Sequence, residues 1–228
     1  MLVGKYGYAF LNCMEHDITK GDIMVSALFH GIILAFGLIL PLGAQNVFIF
    51  NQGALQPKLK GTIPVVVTAS LCDTFLILLA VLGVSLIVLT VPALQIGIFS
   101  IGILFLLYIG WSIWNGSPAN LSEKEAAMST KKQVLFAMSV SLLNPHAILD
   151  TVGVIGTSSL SYTGTEKAAF TGACIAVSWL WFLGLALFGR TIGNFDTEGV
   201  FLKRLNKLSA LMIWGVALYL LVQLYISF

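Results

Sequence analysis

Long apolar runs separated by short polar loops organise this chain. Stretches of about 20 mostly apolar residues, enough to cross a bilayer as a helix, can be cut from it six times. They lie near 26–50, 63–87, 92–114, 133–157, 167–189 and 207–227. The pattern predicts an all-α polytopic membrane protein with about six transmembrane helices. Two runs carry breakers well inside them: Pro41 and Gly43 in "LPLGAQNV" (40–47), and Pro145 in "NPHAILDT" (144–151). Proline lacks an N–H and its ring clashes with the preceding turn, while glycine lets the backbone bend. Broken backbone at membrane depth is tolerated only where protein buries it or where it lines a watery cavity.

The two broken runs occupy matching places. Sliding the chain by 104 residues lays "LPLGAQNV" over "NPHAILDT", with Pro41 on Pro145 and Asn46 on Asp150. The same slide lays 69–83 over 173–187 without a gap. Identity is low, but hydropathy and breakers agree. Three spans per half is an odd number, so the halves are expected to sit in the membrane with opposite orientations, as two inverted three-helix repeats whose first and fourth helices are broken. The expected division is an N-terminal extension (1–23), a first repeat (24–114), a cytoplasmic linker (115–132) and a second repeat (133–228). The extension mixes charges with aromatics and lacks the apolar core of a cleaved signal peptide.

Composition fits this solvent. Hydrophobic residues make up 58% of the chain and charged ones 10%, with a mean hydropathy of +0.95. A soluble domain carries about 25% charged residues. The net charge of +2, held in short loops, argues against nucleic-acid binding. Loops after the first, third and fifth spans hold Lys58, Lys60, Lys124, Lys131, Lys132, Arg190, Lys203, Arg204 and Lys207, whereas the other side holds only Lys5, Lys20 and Lys167. By the positive-inside rule the odd loops are cytoplasmic and both termini lie outside. The three cysteines, Cys13, Cys72 and Cys174, form no CxxC pair, so neither a disulfide framework nor a zinc site is indicated. No metal, cofactor or catalytic residue is expected.

The candidate chemistry lies at and around the breaks. Gln45 and Asn46 follow Pro41 and Gly43 at once, and Asn144 precedes Pro145. Asp73 and Asp150 are the two acids deep inside predicted spans. Each costs about 2.5–3.5 kcal/mol at a helix centre, so such residues usually face the interior and mark a pathway or proton relay. No Lys or Arg lies deep in a span to neutralise them, which leaves protonation, water or a cationic substrate. His146 lies one helical turn before Asp150 and could relay a proton, although a histidine beside a break more often bonds freed carbonyls. His30 has less claim. Gly156, Gly189 and Gly193 suit close helix packing, and the five tryptophans suit interfacial anchoring.

"GLILPLGAQNVFIFNQG" and "SLLNPHAILDTVGVIG" together resemble the L-lysine exporter superfamily, most closely its basic amino acid (lysine and arginine) exporters. The likeness runs from about Met24 to Phe228. It implies export of amino acids across a bacterial-type cell membrane, driven by an ion gradient or the membrane potential, with Asp73 and Asp150 as an intramembrane acidic pair. The expected partners are an amino acid and the lipid bilayer, and homo-oligomerisation is compatible with that list. In this picture freed N–H groups at a half-helix start hold the substrate carboxylate. Freed carbonyls and the amides of Gln45, Asn46 and Asn144 hold its α-ammonium, and the aspartates face its cationic side chain. Rocking of one half against the other then exposes the site to each side. Two rival readings are export of neutral amino acids or related small metabolites and, more distantly, an intramembrane aspartyl protease. The protease reading lacks the Gly-x-Gly-Asp context, because Asp150 sits in "AILD". A thiol carrier using Cys72 and Cys174 is weaker still.

Overall fold

The computed structural model describes the backbone of residues 3–40, 43–83, 92–115, 128–144, 147–148, 151–195 and 200–227. Every regular element among them is helical. They are α1 (Val3–Ile39), α2 (Ala44–Leu55), a 3-10 turn (Leu59–Gly61), α3 (Ile63–Val81), α4 (Pro92–Asn115) and α5 (Thr130–Leu142). A π-helical segment (Thr151–Gly156) follows and runs into one α-turn (Thr157–Ser159), then α6 (Gly164–Phe195) and α7 (Val200–Ser227).

The ends of these helices follow from local chemistry. The last α1-type bond is Leu40 N to Phe36 O at 3.1 Å. A residue preceding proline is driven out of the α region, so the helix stops before Pro41. Gly43, extended at φ −73° and ψ 172°, then caps α2 through its carbonyl, which accepts from Val47 N at 3.1 Å. The same pre-proline rule ends α2, where Gln56 turns extended at ψ 129° ahead of Pro57. Pro64 sits in the first turn of α3, where its missing N–H costs nothing, and Gly83 at φ +75° closes the helix. Past Asn144 the chain turns helical again, with Ile148 N bonding Asn144 O at 3.1 Å, before widening into the π segment. Residues 3–39 form one unbroken helix.

Among the described residues four helices are long and apolar enough to cross a membrane: Gly21–Ile39, Ile63–Val81, Gly164–Phe195 and Lys203–Val222. The predicted span 92–114 coincides with α4. The predicted spans 26–50 and 133–157 are each divided, the first between α1 and α2, the second between α5 and the π segment. Ile33, Phe75, Leu104, Leu180 and Leu218 are each more than half exposed. Apolar exposure on that scale, around buried Gln133, Ser70 and Ser141, is what lipid as solvent demands.

Contacts fix the directions of the helices. A Cβ on Gly31 of α1 would lie 2.6 Å from Phe170 O of α6, and one on Gly193 of α6 would lie 2.6 Å from Ala54 O of α2. The divided first span therefore keeps its heading and runs parallel to α6. Antiparallel to α6 runs α3: Val65, Val66 and Ala69 share a cluster with Phe182 and Ala186, whereas Ile77 and Val81 share one with Phe170, Cys174 and Val177. Parallel to α3 runs α5 with the π segment, from the Gln133 Nε2 bond to Gly61 O at 3.0 Å to Gly156, whose Cβ position lies 3.2 Å from Ala80 O. Finally, α4 and α7 are antiparallel, with Lys207 over the Trp114 ring and Gly110 against Trp214. All these extensive contacts join an element before residue 116 to one after residue 129.

Candidate functional site

Between the divided spans lies a cavity of about 170 Å³, room for on the order of ten waters. Gln45, Asn46, Asp73 and Asn144 line it together with Gly43. These residues come from the start of α2, the middle of α3 and the end of α5, and both breaks in the helical spans open on it. Leu38, Ile77, Leu106, Phe182, Met212 and Val216 form its apolar wall.

The two neighbouring amides have different surroundings. Asn46, buried at 5% exposure, turns its Nδ2 back across the break and donates to Ile39 O at 2.7 Å. One carbonyl freed by the break is thereby held by the chain's own amide. Among the described residues Gln45 Nε2 is buried and has no hydrogen-bond partner. A buried donor without an acceptor costs about 1–3 kcal/mol, so this nitrogen is a ready contact for an acceptor entering the cavity. The start of α2 adds to this. Gly43 provides no side-chain cap, and the first turn of a helix leaves N–H groups and a partial positive charge.

Asp73 is anchored across the helix interface. Ser178 Oγ of α6 donates to Asp73 Oδ2 at 2.7 Å. One residue further along both helices, Trp179 Nε1 donates to Thr74 Oγ1 at 3.0 Å, and Thr74 Oγ1 itself donates to Ser70 O at 2.7 Å. Thr151 also lines the cavity at the start of the π segment, its hydroxyl donating to Ala147 O at 2.7 Å.

The sequence-predicted residues fall into two groups. Gln45, Asn46, Asp73, Asn144 and Gly43 come together on one cavity. Pro41, Pro145, His146 and Asp150 lie outside the described residues. Sequence reasoning missed Ser178, Thr151 and Met212, and weighed Cys174 only in the weak thiol-carrier reading with Cys72. The slide by 104 came within one residue of Ser178, since it sets Val177 opposite Asp73. Cys174 does line the cavity, and its thiol donates to Gly31 O at 3.5 Å. His30 is not in the lining; its Nδ1 lies 2.8 Å from Tyr162 Oη, and its ring packs on Phe170. Gly189 abuts the Phe50 carbonyl and Gly53 the Ala186 carbonyl, which makes the α2–α6 interface a backbone-to-backbone contact.

In chemical terms the cavity offers, among the described residues, one carboxylate, one unbonded amide donor, two hydroxyls and an apolar wall. That set suits a small molecule with a cationic group, an acceptor group and an aliphatic stem. Comparison with known sequences points the same way. Residues 36–224 match the family model described as "LysE type translocator". The chain is 54% identical over 212 residues to "Putative amino-acid transporter YisU" of Bacillus subtilis (strain 168), covering 93% of this chain and 96% of that protein. It is 30% identical over 204 residues to "Arginine exporter protein ArgO" of Serratia proteamaculans (strain 568), covering 86% and 97% respectively. It is 29% identical over 201 residues to the protein of the same name in Enterobacter sp. (strain 638), covering 86% and 94%. No solved structure matches the chain.

Proposed function

Because this chain belongs to the LysE type translocator family and is thus a multi-pass plasma-membrane transporter rather than an enzyme, we propose that it exports basic amino acids, arginine or lysine, from the cytoplasm. The observation that carries this reading is the convergence of Gln45, Asn144 and Asp73 on one cavity where two spans are interrupted. The α2 start and Gln45 Nε2 receive the substrate carboxylate. Asp73 receives the cationic side chain, whose aliphatic stem lies along Leu38, Ile77 and Phe182. Asp150, expected from the sequence as the second acid, completes the pair or cycles a proton. Moving a cation out against an inside-negative potential costs about 2.3 kcal/mol per charge per 100 mV, so exchange for a proton entering the cell offsets the uphill step.

We also propose the inverted repeat, divided as 24–114 and 133–228 around the linker 115–132, after the extension 1–23. The helix contacts support it in one respect. A divided first span parallel to α6 is the counterpart, on exchanging halves, of a divided fourth span parallel to α3. The remaining pairs, α3 with α6 and α4 with α7, exchange with themselves and meet at residues 105 and 107 apart. The most extensive helix contacts cross between the sequence halves, which suits motion of units other than the halves themselves. The units that move are instead the interlocked pairs, with α1 and α2 carried on α6.

The test is efflux of radiolabelled arginine and lysine from preloaded cells, comparing wild type with empty vector. Faster loss of either basic amino acid supports the proposal. Loss of neutral amino acids alone, with arginine and lysine retained, replaces basic specificity with neutral export.

A further inference from the structure

We propose that Ser178 is a positioning residue for the cavity: it ties one oxygen of Asp73 to α6 and leaves the other to face the ligand. This rests on the cavity being the substrate site. Three observations carry it. First, Ser178 Oγ donates to Asp73 Oδ2 at 2.7 Å, and both residues line the cavity. A charge-assisted bond of that length is among the strong ones and sets direction as well as distance. Second, the bond has company, because Trp179 Nε1 donates to Thr74 Oγ1 at 3.0 Å. Two consecutive donors on α6 thus meet two consecutive acceptors on α3, so the Asp73 backbone is held in register while its side chain is aimed. Third, Ser178 is only 2% exposed and sits on the helix that also carries Phe182 and Cys174 into the cavity wall. A carboxylate with one oxygen fixed presents a single acceptor in a defined direction. A freely turning carboxylate would have to be ordered by each substrate as it binds, at a cost in affinity.

The proposal concerns geometry, so its readout must report on Asp73 itself. In membranes holding the full chain, Asp73 is labelled with a membrane-permeant carbodiimide and its peptide quantified by mass spectrometry, for wild type, Ser178→Ala and Ser178→Thr. Efflux of arginine and lysine is measured on the same cells. The expected result is that Ser178→Ala raises the Asp73 labelling rate and the half-saturating substrate concentration by about tenfold, the order of one hydrogen bond to a charged group, with maximal rate and membrane abundance little changed. Ser178→Thr, which keeps the hydroxyl, restores both. If Asp73 labels at the wild-type rate in Ser178→Ala, or if Ser178→Thr behaves as Ser178→Ala does, the proposal is overturned. The labelling arm decides this even if wild type moves no basic amino acid, an outcome that overturns the export reading alone.

Discussion

Asn46 reaches back seven residues, across the interruption of its own span, and holds the last carbonyl of the preceding helix segment: Nδ2 to Ile39 O, 2.7 Å. The gap between α1 and α2 is thereby a built joint in which a side chain replaces the missing backbone donor. Replacing Asn46 with Leu keeps the approximate volume but removes the donor to the part-buried Ile39 carbonyl. The expected loss is about 1–3 kcal/mol of stability. Thermal unfolding of the purified protein in detergent checks this, and an unchanged midpoint would remove the amide from the joint.

Gln45 should behave in the opposite way. Its Nε2 is buried without a partner among the described residues, so Gln45→Leu removes an uncompensated polar group and is expected to leave stability unchanged or slightly raised. Substrate affinity should fall, with the half-saturating concentration rising by about tenfold, since one donor to the substrate is lost. Concentration-dependent efflux beside thermal unfolding separates the two effects. Wild-type affinity in the variant would show that the amide does not touch the substrate.

Asp73→Asn retains an oxygen for Ser178 to donate to while cancelling the charge. The protein is expected to insert and accumulate as wild type does, yet to export arginine or lysine at less than about one hundredth of the wild-type rate, from loss of the charge pairing in a low-dielectric site. Efflux at matched membrane abundance measures this. Retention of more than half of wild-type export would take Asp73 off the substrate path.

Glycines at the α2–α6 contact differ from glycines elsewhere on α6. A methyl group at Gly189 would meet the Phe50 carbonyl, whereas one at Gly184 meets nothing within 4 Å. Gly189→Ala is expected to cost about 1–3 kcal/mol, the range for overpacking, and Gly184→Ala to fall within about 0.5 kcal/mol of wild type. Unfolding midpoints of the two variants provide the comparison, and equal values would contradict the close approach.

What could be read from the sequence was whatever acts locally. Proline and glycine disfavour a helix by their own backbone chemistry, so breaks at Pro41, Gly43 and Pro145 could be expected without knowing any neighbour, and among the described residues α1 ends at Ile39 and α5 at Leu142. Asp73 stood out because a charge in an apolar run needs a reason wherever it points. Ser178 did not, since a serine on a long apolar helix is ordinary until a carboxylate is found facing it from 105 residues away. Gly53 was passed over for the same reason, because its role depends on the Ala186 carbonyl of another helix. The sequence also suggested that Gln45 and Asn46 do one job. Adjacent residues on a helix point about 100° apart, and here that sends one amide to the broken helix end and leaves the other without a partner.

The cross-pairing of the helices has a consequence for how the molecule is made. Spans leave the ribosome in chain order, so α1 to α4 reach the bilayer before any of their principal neighbours exists. At that stage Gly31 and Gly53 have no facing backbone, and Asp73 waits in lipid without the hydroxyl that later bonds it. Folding of the first half therefore cannot run ahead of synthesis of the second, as it does in chains whose domains fold as units. The newborn protein passes through an interval in which Asp73 lacks its Ser178 hydroxyl, and that interval closes only when α6 arrives.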